Sequence, residues 1–94
     1  LYMMRMETKA VRVAGVEDGF FCFVPDQDHE GYFLPYFFVI LDETKSLDEV
    51  KAGLADALEE YEYPVDIRVI KERPYFHFKT NRKELTAAIL EELN

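Results

Sequence analysis

Two apolar runs, FFCFV at residues 20–24 and FLPYFFVIL at 33–41, constrain this chain more than any other feature. The first is apolar at every position, as expected of a β-strand covered on both faces. The second reads as another strand, with Pro35 near its start, where a missing N–H does least harm. Both are too short and too aromatic for a membrane span, which needs roughly 18 apolar residues. Strands this apolar require helices packed on them. The whole chain has 94 residues, enough for one domain and one core, since a chain of this size buries roughly two-thirds of its unfolded surface.

Around these runs the remaining elements fall into order. LYMMRMET holds good helix formers and no turn signal, and reads as the tail of a helix, in a chain that begins without an initiator Met. AVRVAGV is rich in β-branched residues and reads as a strand, with Asp18-Gly19 as a turn before FFCFV. PDQDHEGY is a loop marked by Pro25, Gly31 and clustered acids. Ser46, three residues before Glu49, has the signature of a capping box. The helix it opens carries Leu47, Val50, Leu54, Leu58 and Tyr61 as an apolar stripe, and Pro64 ends it. VDIRVI alternates Val65, Ile67 and Val69 with Asp66 and Arg68, a strand with one wet face. A last helix starts near Asn81, a good N-cap, with Leu85, Ala88, Ile89 and Leu93 as its apolar face. The expected fold is therefore α+β: a small mixed sheet of about three to four strands with helices packed on it, in a single domain over 1–94.

Charge and cysteine content exclude several functions. A formal net charge of −8 speaks against nucleic acid or an anionic membrane surface as a partner. The single cysteine, Cys22, cannot form an internal disulfide and lies in an apolar run with no base beside it, so it reads as a small buried hydrophobe. With no cleavable leader recognisable, a cytoplasmic protein is the expectation. Asp26, Asp28, Glu30 and Gly31 imitate the opening of a calcium loop. The twelfth position, which must supply a bidentate carboxylate, is Phe37, so calcium binding fails. His29 and His77 lack metal-ligand partners at standard spacing, and no metal is expected. No Gly-rich phosphate loop and no nucleophile elbow occurs.

What stands out is an accumulation of positive charge. Residues 68–83 hold six of the eleven Lys and Arg residues and one acid, Glu72. Within PYFHFKTNRKEL, alternation from Pro74 to Lys79 sets Tyr75 and His77 on one face and Phe76 and Phe78 on the other. Lys79 then emerges just before a helix, a good place for a point-charge contact to phosphate or carboxylate. Arg82 and Lys83 follow in the first turn, where the helix dipole opposes cations unless an anion or a nearby acidic side chain compensates. An anion site is one reading, but charge and spacing alone favour the plainer one, a surface lysine beside a helix start on a solvated edge kept soluble by charge.

Read together, SLDEVKAGLADALEEYEYPVDIRVIKERPYFHFKTNRKEL resembles the C-terminal subdomain of AMP-forming ligases, the superfamily of acyl- and aryl-CoA synthetases, luciferases and adenylation domains. Tyr61 and Pro64 match the family's Tyr-x-x-Pro, and Ile67, Val69 and Ile70 its strand. Lys79, Arg82 and Leu85 keep its closing spacing, and upstream Val24-Pro25-Asp26 with the strand after it is similar as well. Two departures are Phe78 where the family has Gly and a Pro74-to-Lys79 spacing one residue short.

The resemblance implies a lid, the C-terminal piece of a larger ligase whose hinge precedes residue 1. The missing N-terminal domain would be its partner and would bind ATP, Mg2+ and a carboxylic acid, with coenzyme A as the acceptor. Lys79 would be the adenylation lysine, with Arg82 and His77 supporting its loop; the isolated chain would be inactive. Two alternatives stay open at this point. One is a stand-alone ferredoxin-like binding or regulatory module, the other a degenerate lid that serves only protein–protein contacts.

Overall fold

The computed structural model describes residues 3–72, 75–76, 79–80 and 82–93, with 75–76 and 79–80 described by their backbone. Helix α1 (Met3–Ala10) leads into strand β1 (Val16–Pro25), which pairs antiparallel with β2 (Phe33–Leu41). Helix α2 (Leu47–Ala57) and a 3-10 turn (Glu60–Glu62) then carry the chain across to β3 (Asp66–Val69), which runs parallel to β2. A parallel neighbour requires such a crossover, whereas antiparallel β1 and β2 need only the loop between them. Strands β4 (Tyr75–Phe76) and β5 (Lys79–Thr80) pair with each other in a separate ribbon, and α3 (Arg82–Leu93) follows. The fold is α+β, with a mixed three-stranded sheet in the order β1-β2-β3.

The two apolar runs explain the layering. Successive strand residues point to opposite faces, so a run without polar positions supplies two cores at once. Phe21, Phe37 and Val39 face α1 and α2, packing with Met6, Ala10, Val50, Leu54 and Leu58. Phe20, Cys22, Val24, Tyr36 and Phe38 face the other way and pack with Ile89 of α3, flanked by Leu85 and Leu90. Opposed aromatics fix the register: Phe20 stacks on Phe38 at 5.3 Å, and Phe21 meets Phe37 at 4.7 Å.

Several boundaries differ from the sequence reading, each for a physical reason. Of AVRVAGV only Val16 lies in a strand. Ala10 is the buried end of α1, residues 11–15 form turns, and Gly15 adopts φ +96°, which glycine alone accepts easily. Asp18-Gly19 is no turn either but lies inside β1, beside a register shift between Val16 and Asp18. A Cβ on Gly19 would stand 2.4 Å from Cζ of Phe37, so the ring of the neighbouring strand fills the space a side chain would take.

The capping box forms as expected, with the Glu49 N–H donating to Ser46 Oγ and the Ser46 N–H donating to Glu49 Oε1. Helix α2 nevertheless ends at Ala57, because Leu58 turns extended (ψ 149°) while staying in the core. Tyr61 therefore leaves the apolar stripe and is exposed. Glu62 is buried in its place, accepting from Lys9 Nζ at 2.6 Å and from the Glu59 N–H at 2.9 Å. Val65 and Val69 of the third strand region are both half exposed, as fits an edge strand. On α3 the inward line is the buried Ile89 flanked by the half-buried Leu85 and Leu90, and Ala88 and Leu93 face outward. No helix among the described residues is long and apolar enough to cross a membrane.

Candidate functional site

The segment that gathers positive charge is divided by the fold. The described residues of this segment, 75–76 and 79–80, form two short strands that pair antiparallel. Tyr75 pairs with Thr80 and Phe76 with Lys79, so Lys79 opens the returning strand of a two-stranded ribbon. Three residues after Lys79, α3 begins at Arg82. His77, Phe78 and Asn81 lie outside the described residues, so the expected support from His77 and the expected N-cap have no structural account. Beside Lys79, the end of α3 is held by an anchor.

That anchor is Arg82. Its Nε–H donates to the Phe21 carbonyl at 3.0 Å, and Nη2 donates to Glu7 Oε1 at 2.9 Å. The same Glu7 oxygen accepts the Phe21 N–H at 2.9 Å. Arg82 and Glu7 thus close a ring of hydrogen bonds around one residue of β1. Both outward backbone groups of Phe21 are met by side chains, on the edge of β1 away from β2. An edge strand presents unpaired N–H and C=O groups; here a side-chain pair takes the place of a neighbouring strand. The guanidinium also lies 5.8 Å from the ring centroid of Phe20, within cation–π range.

The sequence raised the question of what compensates a cation in the first turn of a helix, and for Arg82 the structure answers with Glu7. Sequence reasoning missed Glu7, which sits in no motif and 75 positions from its partner. The available signal was the unfavourable placement of Arg82 itself, which calls for an acid without saying which. Lys83, one residue on, is exposed.

Arg68, the first cation of the basic segment, is also committed. It donates to Asp66 at 3.0 Å and to Glu92 at 2.6 Å, and lies 5.7 Å from the ring centroid of Tyr36. Cys22 lies under the start of α3, its Sγ 4.0 Å from the Arg82 carbonyl. Burial pushes its thiol up to about 11, against an opposing pull from Arg82 and a hydrogen bond to Thr86. A thiol protonated at neutral pH is a poor nucleophile. The acidic loop between β1 and β2 is engaged internally: Asp26 accepts the Asp28 N–H and pairs with His29 at 3.1 Å.

No family model and no curated protein matches this sequence. Solved structures do. The chain superposes on an acyl-CoA synthetase from Brucella canis with a TM-score of 0.78 at 22% identity, over 97% of this chain and 18% of that one. The anthranilate CoA ligase AuaEII, solved in complex with anthranoyl-AMP, gives 0.76 at 19% identity, over 98% of this chain and 19% of that one. The benzoate CoA ligase of Burkholderia xenovorans LB400 gives 0.67 at 26% identity, over 88% of this chain and 18% of that one. This chain has the fold of a small part of acyl- and aryl-CoA ligases. The ligase-type fold agrees with the resemblance seen in Tyr61, Pro64, Lys79, Arg82 and Leu85. It also gives the scale: the chain spans 18% of the length of the Brucella canis enzyme.

Proposed function

We propose that this domain is the C-terminal lid of an AMP-forming ligase that activates an acyl or aryl acid with ATP and passes it to a thiol, with coenzyme A as the acceptor. The observation that carries the reading is the match of nearly the whole chain to about a fifth of enzymes named as an acyl-CoA synthetase and a CoA ligase, the latter holding anthranoyl-AMP. The sequence agrees with it from a separate direction through the Lys79–Arg82–Leu85 spacing.

In this reading Lys79 is the catalytic residue. A lysine ammonium at the start of a short strand is a point charge on a flexible stem, suited to oxygens that gain negative charge as acyl-adenylate and pyrophosphate form. The larger domain would hold ATP with Mg2+ and the carboxylic acid, and closure of the lid would exclude water, which strengthens the lysine's charge. Arg82 would hold the start of α3 and steady the ribbon, with His77 supporting the same loop. The setting would be the cytoplasm.

The test uses the intact ligase that carries this domain. Lys79→Ala should lower ATP–pyrophosphate exchange by about 10²- to 10³-fold, the usual cost of losing one charge-stabilising donor. Thioester formation from supplied acyl-adenylate should be spared. Equal losses in the two half-reactions would remove Lys79 from the role. A second reading, a lid kept for protein contacts alone, is favoured by Phe78 at the family's glycine position. Unchanged exchange in Lys79→Ala would favour it.

A further inference from the structure

We propose that Glu7, on the first helix, is a positioning residue for Lys79 and acts through Arg82. The inference rests on the lid reading for its functional consequence, but its structural half stands on the geometry of this chain.

The reach of the chain is the first part of the case. Lys79 and Arg82 are three residues apart, so at most about 11 Å of backbone separates them. Wherever Arg82 is pinned, Lys79 moves within a short tether. Arg82 in turn is pinned by Phe21 O and Glu7 Oε1, and that one Glu7 oxygen also holds the Phe21 N–H. Removing Glu7 breaks two of the three bonds in the ring and leaves the guanidinium with a single backbone acceptor.

Charge is the second part. Arg82 stands in the first turn of α3, where the dipole opposes a cation. With Glu7 present its charge is matched at 2.9 Å, in a site where Glu7 is largely covered. Without Glu7 an unmatched guanidinium would lie within the same tether of the lysine. It would repel the ammonium and compete with it for an incoming phosphate or carboxylate. Glu7 therefore fixes the lysine's base and keeps the neighbouring positive charge from acting in its place.

Glu7→Gln is the informative variant, because its amide oxygen still accepts the Phe21 N–H while the charge is gone. In the intact ligase it should lower kcat for adenylation by about ten- to a hundred-fold, the scale of a misplaced catalytic group. KM for ATP and thioester formation from supplied acyl-adenylate should stay near wild type, and Glu7→Asp should fall between. Equal loss in both half-reactions, or no loss in either, overturns the proposal. In the 94-residue chain, amide hydrogen exchange at Thr86 and Ala87, in the second turn of α3, should accelerate in Glu7→Ala, which removes both bonds to the carboxylate. Unchanged exchange there overturns the positioning whatever the ligase does.

The reversed pair, Glu7→Arg with Arg82→Glu, should not restore adenylation. It would set a donor against the Phe21 N–H and an acceptor against its carbonyl, so full rescue would reduce the ring to a simple charge pair and overturn the proposal. Lys79→Ala separates the two ideas. If it spares adenylation, the lid reading falls and the kinetic role of Glu7 falls with it. If it abolishes adenylation while Glu7→Gln leaves it intact, Glu7 alone is excluded.

Discussion

Helix α3 is tied to the sheet by an arginine near each end, and the two ties are built differently. Near its start, Arg82 reaches a covered carboxylate and a backbone carbonyl of β1. Near its finish, Glu92 receives Arg68 from β3 at 2.6 Å, the shorter distance of the two. Glu92 has a side chain 56% exposed, against 20% for Glu7. Distance is therefore a poor guide to which tie holds. An exposed ion pair is screened by water and salt and contributes little, whereas the Arg82 ring also satisfies backbone groups that no other strand reaches. The difference teaches that the end of α3 next to Lys79 is the one built to stay in place.

That contrast can be broken or sharpened by experiment. The seam both ends share is Ile89, fully buried against Phe20 and Phe38. Ile89→Ala should cost about 2–4 kcal/mol and loosen both ends together, measured by urea unfolding. Arg82→Ala should cost about 2 kcal/mol, because it leaves the edge of β1 and the Glu7 carboxylate without their partner. Arg68→Ala should cost less than about 1 kcal/mol, and the cost should shrink further as salt is raised. Equal effects of the two arginine variants would erase the comparison. Cys22 offers a local probe, since it lies beneath the Arg82 end. Its alkylation at pH 8 should be slow in the wild-type chain, with the thiol held up to about 11, and faster in Arg82→Ala than in Arg68→Ala because the thiol is uncovered, against the loss of the Arg82 charge that favours the thiolate.

A smaller effect concerns the other tie made by α1, from Lys9 to the buried Glu62. The Lys9 hydrogen bond and then the Glu59 N–H hold the Glu62 carboxyl below its usual 4.5. A carboxylate with a depressed folded-state value contributes stability above its unfolded pKa and loses it as pH falls through the lowered one. Stability should therefore decline below about pH 4.5, and a Glu62→Gln variant should show a shallower decline in acid unfolding curves. An equal slope in the variant would assign the acid limb to other carboxylates.

Much of the fold was legible because its strongest signals are local. FFCFV and FLPYFFVIL state by composition alone that both of their faces are covered, and Ser46 with Glu49 announces the start of α2 within four residues. The misread parts depend on distant packing. β-Branched residues at 11 and 13 argue for a strand, yet between the buried Ala10 and the left-handed Gly15 the chain turns, and the strand starts only at Val16. Tyr61 fits the helical stripe, but burial of Glu62 against Lys9 takes the chain out of the helix first. In the candidate site, Lys79 and Arg82 could be singled out by spacing. Glu7 could not, since a lone acid on a short helix carries no pattern and its meaning arises only when α1, β1 and α3 come together.

Gly19 and Phe37 leave a mark that should be readable across evolution. One position is empty because the other's ring occupies it, with 2.4 Å between Cζ and the Cβ that glycine lacks. The two sites are thus a single allocation of volume shared by adjacent strands, and neither is free to drift alone. In an alignment of relatives they should covary: a side chain at the first position should accompany a smaller residue at the second. An ancestor that exchanged one had to tolerate a clash or a hole until the other followed.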